Sequence, residues 1–68
     1  MKLSARNQLP GRITAITPGA VNGTVKVDIG HGLTVTASIT EEAIAELALA
    51  EGDLVTVVVK ASDVLIGK

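Results

Sequence analysis

The sequence predicts an all-β domain, a five-stranded antiparallel barrel with one short helix between strands 3 and 4. Three observations carry this. Turn residues cut the 68-residue chain into short apolar runs. Two of those runs alternate apolar and polar residues with the period of two of a half-buried strand. One stretch, after Thr40, changes to helical spacing.

Taken in order, an extended arm from Met1 leads into a first strand over Leu9 to Thr17. Pro18-Gly19 and Asn22-Gly23 are turn signals. The next run is Thr24-Val25-Lys26-Val27-Asp28-Ile29, with Val25, Val27 and Ile29 inward and Lys26 and Asp28 outward. Gly30-His31-Gly32 is a turn. Leu33 to Ile39 alternates again, carries hydroxyls on one face, and completes a hairpin. Thr40 reads as a helix N-cap, followed by Glu41 and Glu42 where carboxylates favour the helix dipole. Ile44 and Leu47 form an apolar stripe, and Ala43, Ala45 and Ala48 support the helix. Gly52 is expected to end this element, with Asp53 opening the next turn. Leu54 to Val59 is apolar except at Thr56, the signature of a strand covered on both faces, and in so small a chain one of those covers is expected from a neighbouring subunit. After Asp63 comes a last short strand, Val64-Leu65-Ile66. A helix between the third and fourth of five strands is the arrangement of an OB-fold. One domain, residues 1–68, accounts for the chain.

A domain this small buries only about 60% of its unfolded-chain surface, so a lone copy is marginal. There is no cysteine to form a disulfide or a thiolate metal site. Mean hydropathy is high at +0.49, which points to apolar surface shared with further copies. No signal-peptide pattern and no run of roughly 20 apolar residues is present, so a cytoplasmic protein without membrane contact is expected.

Several function classes are disfavoured. Net charge is -1, and Phe, Tyr and Trp are all absent. A single-strand nucleic-acid binder stacks bases on aromatic rings and tracks the backbone with a basic groove. This chain has neither. His31, the one imidazole, is read as an exposed turn residue, with no partner to make it a general base. Glu41, Glu42 and Glu46 are read as a helix start and a solvated face rather than a metal-cation site. No enzymatic centre is expected.

What remains is two polar tracts, Ser4-Ala5-Arg6-Asn7-Gln8 and Lys60-Ala61-Ser62-Asp63. Alone, the first reads as a solvated arm and the second as a plain turn. Together they form a donor set. A tetrahedral dianion such as molybdate or tungstate has four acceptor oxygens and no proton at neutral pH. Arg6 offers charge-assisted bonds, Lys60 a point charge, Ser4 and Ser62 hydroxyls, and Asn7 an amide. Backbone N–H groups near Thr40 could complete the shell. Phosphate often keeps a proton and needs an acceptor, so a donor-only site disfavours it, provided Asp63 points away.

Ser4 to Gln8, followed by Leu9 and Gly11, closely resembles the opening of the molbindin (Mop) domain, which is related to TOBE domains. Lys60-Ala61-Ser62-Asp63-Val64 resembles that family's closing motif, and Ser38-Ile39-Thr40 its step into the helix. The resemblance covers essentially the whole chain. It implies an OB-like fold and a hexamer built as a trimer of dimers. It implies molybdate or tungstate held between subunits, in a cytoplasmic store or buffer, with no covalent cofactor. The anion ligands it implies are Ser4, Arg6, Asn7, Lys60, Ala61 and Ser62, with Thr40 adding a backbone or hydroxyl donor. A second type of site near the three-fold axes falls on the Pro18 to Gly23 loop, at Gly19 and Val21. Larger relatives join such domains in tandem or to DNA-binding or transporter domains; no such extension is expected here. The alternatives are an assembly module without its own ligand and an OB-type nucleic-acid binder.

Overall fold

The computed structural model describes residues 2–68; the first residue of the predicted arm, Met1, lies outside the described residues. Four strands form: β1 (Asn7–Thr17), β2 (Asn22–Gly30), β3 (Leu33–Thr40) and β4 (Leu54–Val59). Helix α1 (Glu41–Glu46) links β3 to β4, and a 3₁₀ turn at Ala61–Asp63 follows β4. The strands make one antiparallel sheet in the order β3-β2-β1-β4.

β1 is the spine of this sheet. Its first half, Asn7 to Arg12, pairs with β4; its second half, Arg12 to Thr17, pairs with β2. Between Ile13 and Ala15 the ladder to β2 skips a residue. Such a bulge bends a strand and increases its twist. The bend lets one strand serve two neighbours and curls the sheet into an OB-like half-barrel.

The concave face holds the core. Ile13, Val25 and Val27 are fully buried, and Ile16, Ile29, Ile39, Ile44, Leu49, Val55 and Val57 pack around them. The alternation read from β2 and β3 is therefore the inside-outside pattern of the sheet, with Thr34, Thr36 and Ser38 exposed on the convex side. Gly30, His31 and Gly32 make the tight turn between the two strands, all with positive φ.

Thr40 caps α1: its Oγ1 accepts the Ala43 N–H at 3.0 Å. The helix ends earlier than Gly52. Ala48 takes the left-handed conformation at φ 50°. Its N–H donates to the Ala45 carbonyl, and the Leu49 N–H to the Ile44 carbonyl, both at 3.1 Å. This doubly bonded C-terminal cap turns the chain back on itself. Leu49 thereby reaches the core, whereas Leu47, expected on the apolar stripe, is 68% exposed.

Within the chain β4 is covered on one face: Val55, Val57 and Val59 are half-buried, while Leu54 is 76% exposed on the face expected to meet a neighbouring subunit. Two further expectations are corrected. Asn22-Gly23 is not a turn but the start of β2, with Gly23 buried. The fifth strand does not form. Leu65 and Ile66 are 91% and 90% exposed. A strand exists only where a ladder partner receives it. The 3₁₀ turn interrupts the chain after β4, and three residues provide few ladder bonds of their own.

Candidate functional site

The sheet register brings the two end tracts together. Asn7 is the Cα partner of Val59, so Arg6 and Lys60 are the next residues outward on adjacent strands. The Asn7 side chain reinforces the pairing, its Nδ2 donating to the Val59 carbonyl at 3.2 Å. Gln8 Nε2 donates to the Ala5 carbonyl at 3.2 Å, which folds the tract onto itself. After Lys60 the chain enters the 3₁₀ turn, where the Asp63 N–H donates to the Lys60 carbonyl at 2.9 Å. Ser4, Arg6, Lys60, Ala61 and Ser62 are all exposed. Among the described residues, the side chains of Ser4, Arg6, Lys60 and Ser62 form no hydrogen bond, so their donors face solvent. Asn7 differs. One of its two amide protons is engaged, and it was read from sequence as a ligand without its part in the pairing being visible.

Thr40 lies elsewhere. It pairs with Asn22, and Thr24, two residues further along β2, pairs with Thr17 at the far end of β1. Ten residues of strand separate Thr17 from Asn7, roughly 30 Å of chain at about 3.3 Å per residue. Within one chain, Thr40 and the Arg6–Lys60 pair therefore lie toward opposite ends of β1.

Thr40 is instead grouped with Gly19 and Val21. The Glu41 N–H donates to the Val21 carbonyl, and the Gly19 N–H donates to Glu41 Oε1, both at 2.8 Å. Gly19 permits this tight loop because a Cβ there would fall 2.0 Å from the Asn22 carbonyl oxygen. The backbone N–H groups of Gly19, Glu41 and Ala43 are thus engaged within the chain. The clasp formed by Glu41 was missed in the sequence, where the residue read as a helix-dipole acid. The signal was thin: an acid after an N-cap threonine, and a glycine where a strand residue was possible.

Two concavities lie elsewhere. One is the open interior of the half-barrel, lined by Ile13, Val27, Ile39 and Val57 among others; the second runs past Pro10, Arg12, Leu47 and Leu54. Both are mainly apolar, and neither includes a donor of the two tracts. The donor cluster is a surface feature at a sheet end. Among the described residues no group of three or more His, Cys, Asp or Glu could hold a metal cation. No helix is long and apolar enough to cross a membrane.

Fold and site together define a class: a small OB-like domain with exposed anion-type donors where β1 begins and β4 ends. The chain belongs to the TOBE domain family, whose model matches residues 3–66. Its relatives are molybdenum-pterin-binding (Mop) proteins. It is 40% identical over 67 residues to a probable molybdenum-pterin-binding protein of Haemophilus influenzae, covering 98% of this chain and 97% of that one. It is 41% identical over 66 residues to molybdenum-pterin-binding protein 3 of Clostridium pasteurianum, at 97% of both chains. Among solved structures, a molybdate-binding protein from Sporomusa ovata superposes with a TM-score of 0.94 at 37% identity over the full length of both chains. The cytoplasmic molybdate-binding protein ModG, in a form with molybdate bound, superposes with a TM-score of 0.91 at 43% identity; the match covers 96% of this chain and 46% of ModG.

Proposed function

We propose that this protein binds molybdate or tungstate and serves as a store or buffer for the oxyanion. The single observation that carries the reading is the Asn7–Val59 pairing, which sets Arg6 and Lys60 side by side at a sheet end with their donors exposed. Ser4 and Ser62 lie in the same two tracts, and Ala61 offers a backbone N–H in the turn. Asn7 holds the tracts together and has one amide proton left to donate. Arg6 and Lys60 supply charge; the hydroxyls and N–H groups supply direction. A donor-only shell suits an anion with no proton to share. The relatives described above as molybdate- or molybdenum-pterin-binding support the same ligand class.

The site is built between copies of the chain. Thr40 joins Arg6 and Lys60 only if a second copy brings it, because one chain holds the two groups at opposite ends of the sheet. The exposed Leu54, Leu65 and Ile66 give copies a reason to associate, since apolar surface of this kind is costly in water. A hexamer arranged as a trimer of dimers is the assembly proposed, acting in the cytoplasm and without catalysis. A second type of site involves the loop that carries Gly19 and Val21.

Calorimetric titration of the assembled protein with molybdate, tungstate and sulfate tests this. Saturable binding of the first two, weaker for sulfate, is the expected result. No saturable binding of any of the three would overturn the proposal and leave assembly as the domain's role.

A further inference from the structure

Among the described residues three acidic side chains accept backbone hydrogen bonds, and Glu41 is unlike the others. Asp28 accepts from Gly30 and Asp53 from Ala50, each within its own turn. Glu41 accepts from Gly19, 22 residues away in sequence. Its backbone N–H closes a second bond to the same loop, at the Val21 carbonyl. The carboxylate sits in a notch made by a missing side chain. A Cβ on Gly23 would lie 2.6 Å from Glu41 Oε1 and 2.6 Å from Ile44 Cδ1. The loop from Pro18 to Val21 is thus strapped to the Thr40–Glu41 step by one residue seated over one glycine.

We propose that Glu41 is a positioning residue for the oxyanion site, acting through Thr40; this rests on the reading that Thr40 donates to the bound anion. Thr40 Oγ1 accepts the Ala43 N–H through one lone pair, which leaves its own proton free to be donated to a group outside the helix. A hydroxyl free in this way is a donor, which is what a fully deprotonated anion requires. Its position holds only while the first turn of α1 keeps its place. The whole of α1 is six residues long with no fully buried residue, and Ile44 is the side chain it packs against the core cluster. The two bonds from Glu41 to the loop fix its first turn. They also draw the Glu41 negative charge toward the Gly19 N–H, and a carboxylate directed at an incoming dianion would repel it.

Two substitutions break the strap by different routes. Glu41→Ala removes the acceptor and the charge together. Gly23→Ala keeps the charge but places a methyl where Oε1 sits. Its two nearest contacts are the tips of flexible side chains at 2.6 Å, and the Thr17 carbonyl oxygen lies further off at 3.3 Å, so the side chains give way and the carboxylate is displaced. Glu41→Gln is the conservative control, since its amide oxygen still accepts from Gly19.

The experiment combines Gly19 amide exchange by NMR with molybdate calorimetry on the assembled protein. In the parent and Glu41→Gln, the Gly19 amide is protected and binding is at least as tight as in the parent. In Glu41→Ala and Gly23→Ala, that amide exchanges at least tenfold faster and molybdate affinity falls about five- to tenfold. Faster exchange with unchanged affinity in both broken variants overturns the positioning role while leaving the oxyanion reading intact. Unchanged Gly19 exchange in Glu41→Ala overturns the strap itself. A parent that does not bind molybdate overturns the oxyanion reading, and the positioning role with it.

Discussion

The two ends of β1 are built on opposite plans. At the Asn7 end, cations and hydroxyls stand in solvent, and the hydrogen bonds present tie backbone or amide groups rather than the charged ones. At the Thr17 end, the polar groups of the adjoining loop and helix are engaged with one another: Gly19 with Glu41, Glu41 with Val21, Ala43 with Thr40. One end offers donors; the other uses them to hold its own shape. The lesson concerns how such a small domain serves a ligand. Its half-barrel interior is lined almost wholly by apolar side chains, which suits packing rather than polar chemistry. The exposed donors stand at a rim of the sheet, and in the proposed assembly the structured rim of another copy meets them.

The largest expected effect comes from removing what joins the two ends. Ile13 sits beside the bulge and is 1% exposed. Ile13→Ala should cost about 2–5 kcal/mol, a large share of the stability of a domain of this size. Denaturant unfolding and anion binding should then fail together. A variant that stays folded and loses binding alone would show that the ends are not held through this core.

Next are the cations. Arg6→Ala and Lys60→Ala should each weaken molybdate binding by roughly ten- to hundredfold, as charge-assisted bonds are worth about 1.5–3 kcal/mol. Thermal stability should hardly change, since both residues are exposed. Unchanged affinity in both would remove this end from the site.

Thr40→Ala probes the same contrast from the far end, with a smaller effect. Here one hydroxyl caps the helix and is proposed to donate to the anion. Stability should fall by about 1 kcal/mol, and molybdate affinity should fall several-fold in the same variant. Arg6→Ala moves one readout and Thr40→Ala moves two. If Thr40→Ala changes stability only, the hydroxyl is a cap and nothing more.

Much of this was legible in the chain. The alternation over Thr24 to Ile29 gave the inward face of β2, and Thr40-Glu41-Glu42 gave the helix start. Other features depend on partners far apart in sequence. The Asn7–Val59 pairing spans 52 residues, and no local pattern announces it. Val64-Leu65-Ile66 has strand composition, but composition supplies no ladder partner. Asn22-Gly23 is a turn dipeptide by local preference, yet Gly23 is buried beneath Glu41 and Ile44, and that contact decides its place in β2. The donor tracts were visible as motifs. Which of their members face solvent, and which are engaged in the fold, was not.

The smallest effect offers the cleanest separation of the two ends. Ala48 holds a left-handed conformation that residues with a side chain adopt at a cost of roughly 1–2 kcal/mol. Glycine avoids that cost but loses more freedom on folding, by about 0.5–1 kcal/mol. The balance predicts that Ala48→Gly stabilises the domain by about 0.5–1 kcal/mol. For a domain of this length that corresponds to a rise in melting temperature of a few degrees. Ala48 lies at the C-terminal end of α1, where the cap bonds run to the Ala45 and Ile44 carbonyls rather than toward Thr40. Molybdate affinity should therefore stay at the parent value while the melting temperature rises. A matching change in affinity would mean that the stiffness of the whole helix, and not the Glu41 strap at its first turn, governs how Thr40 is presented.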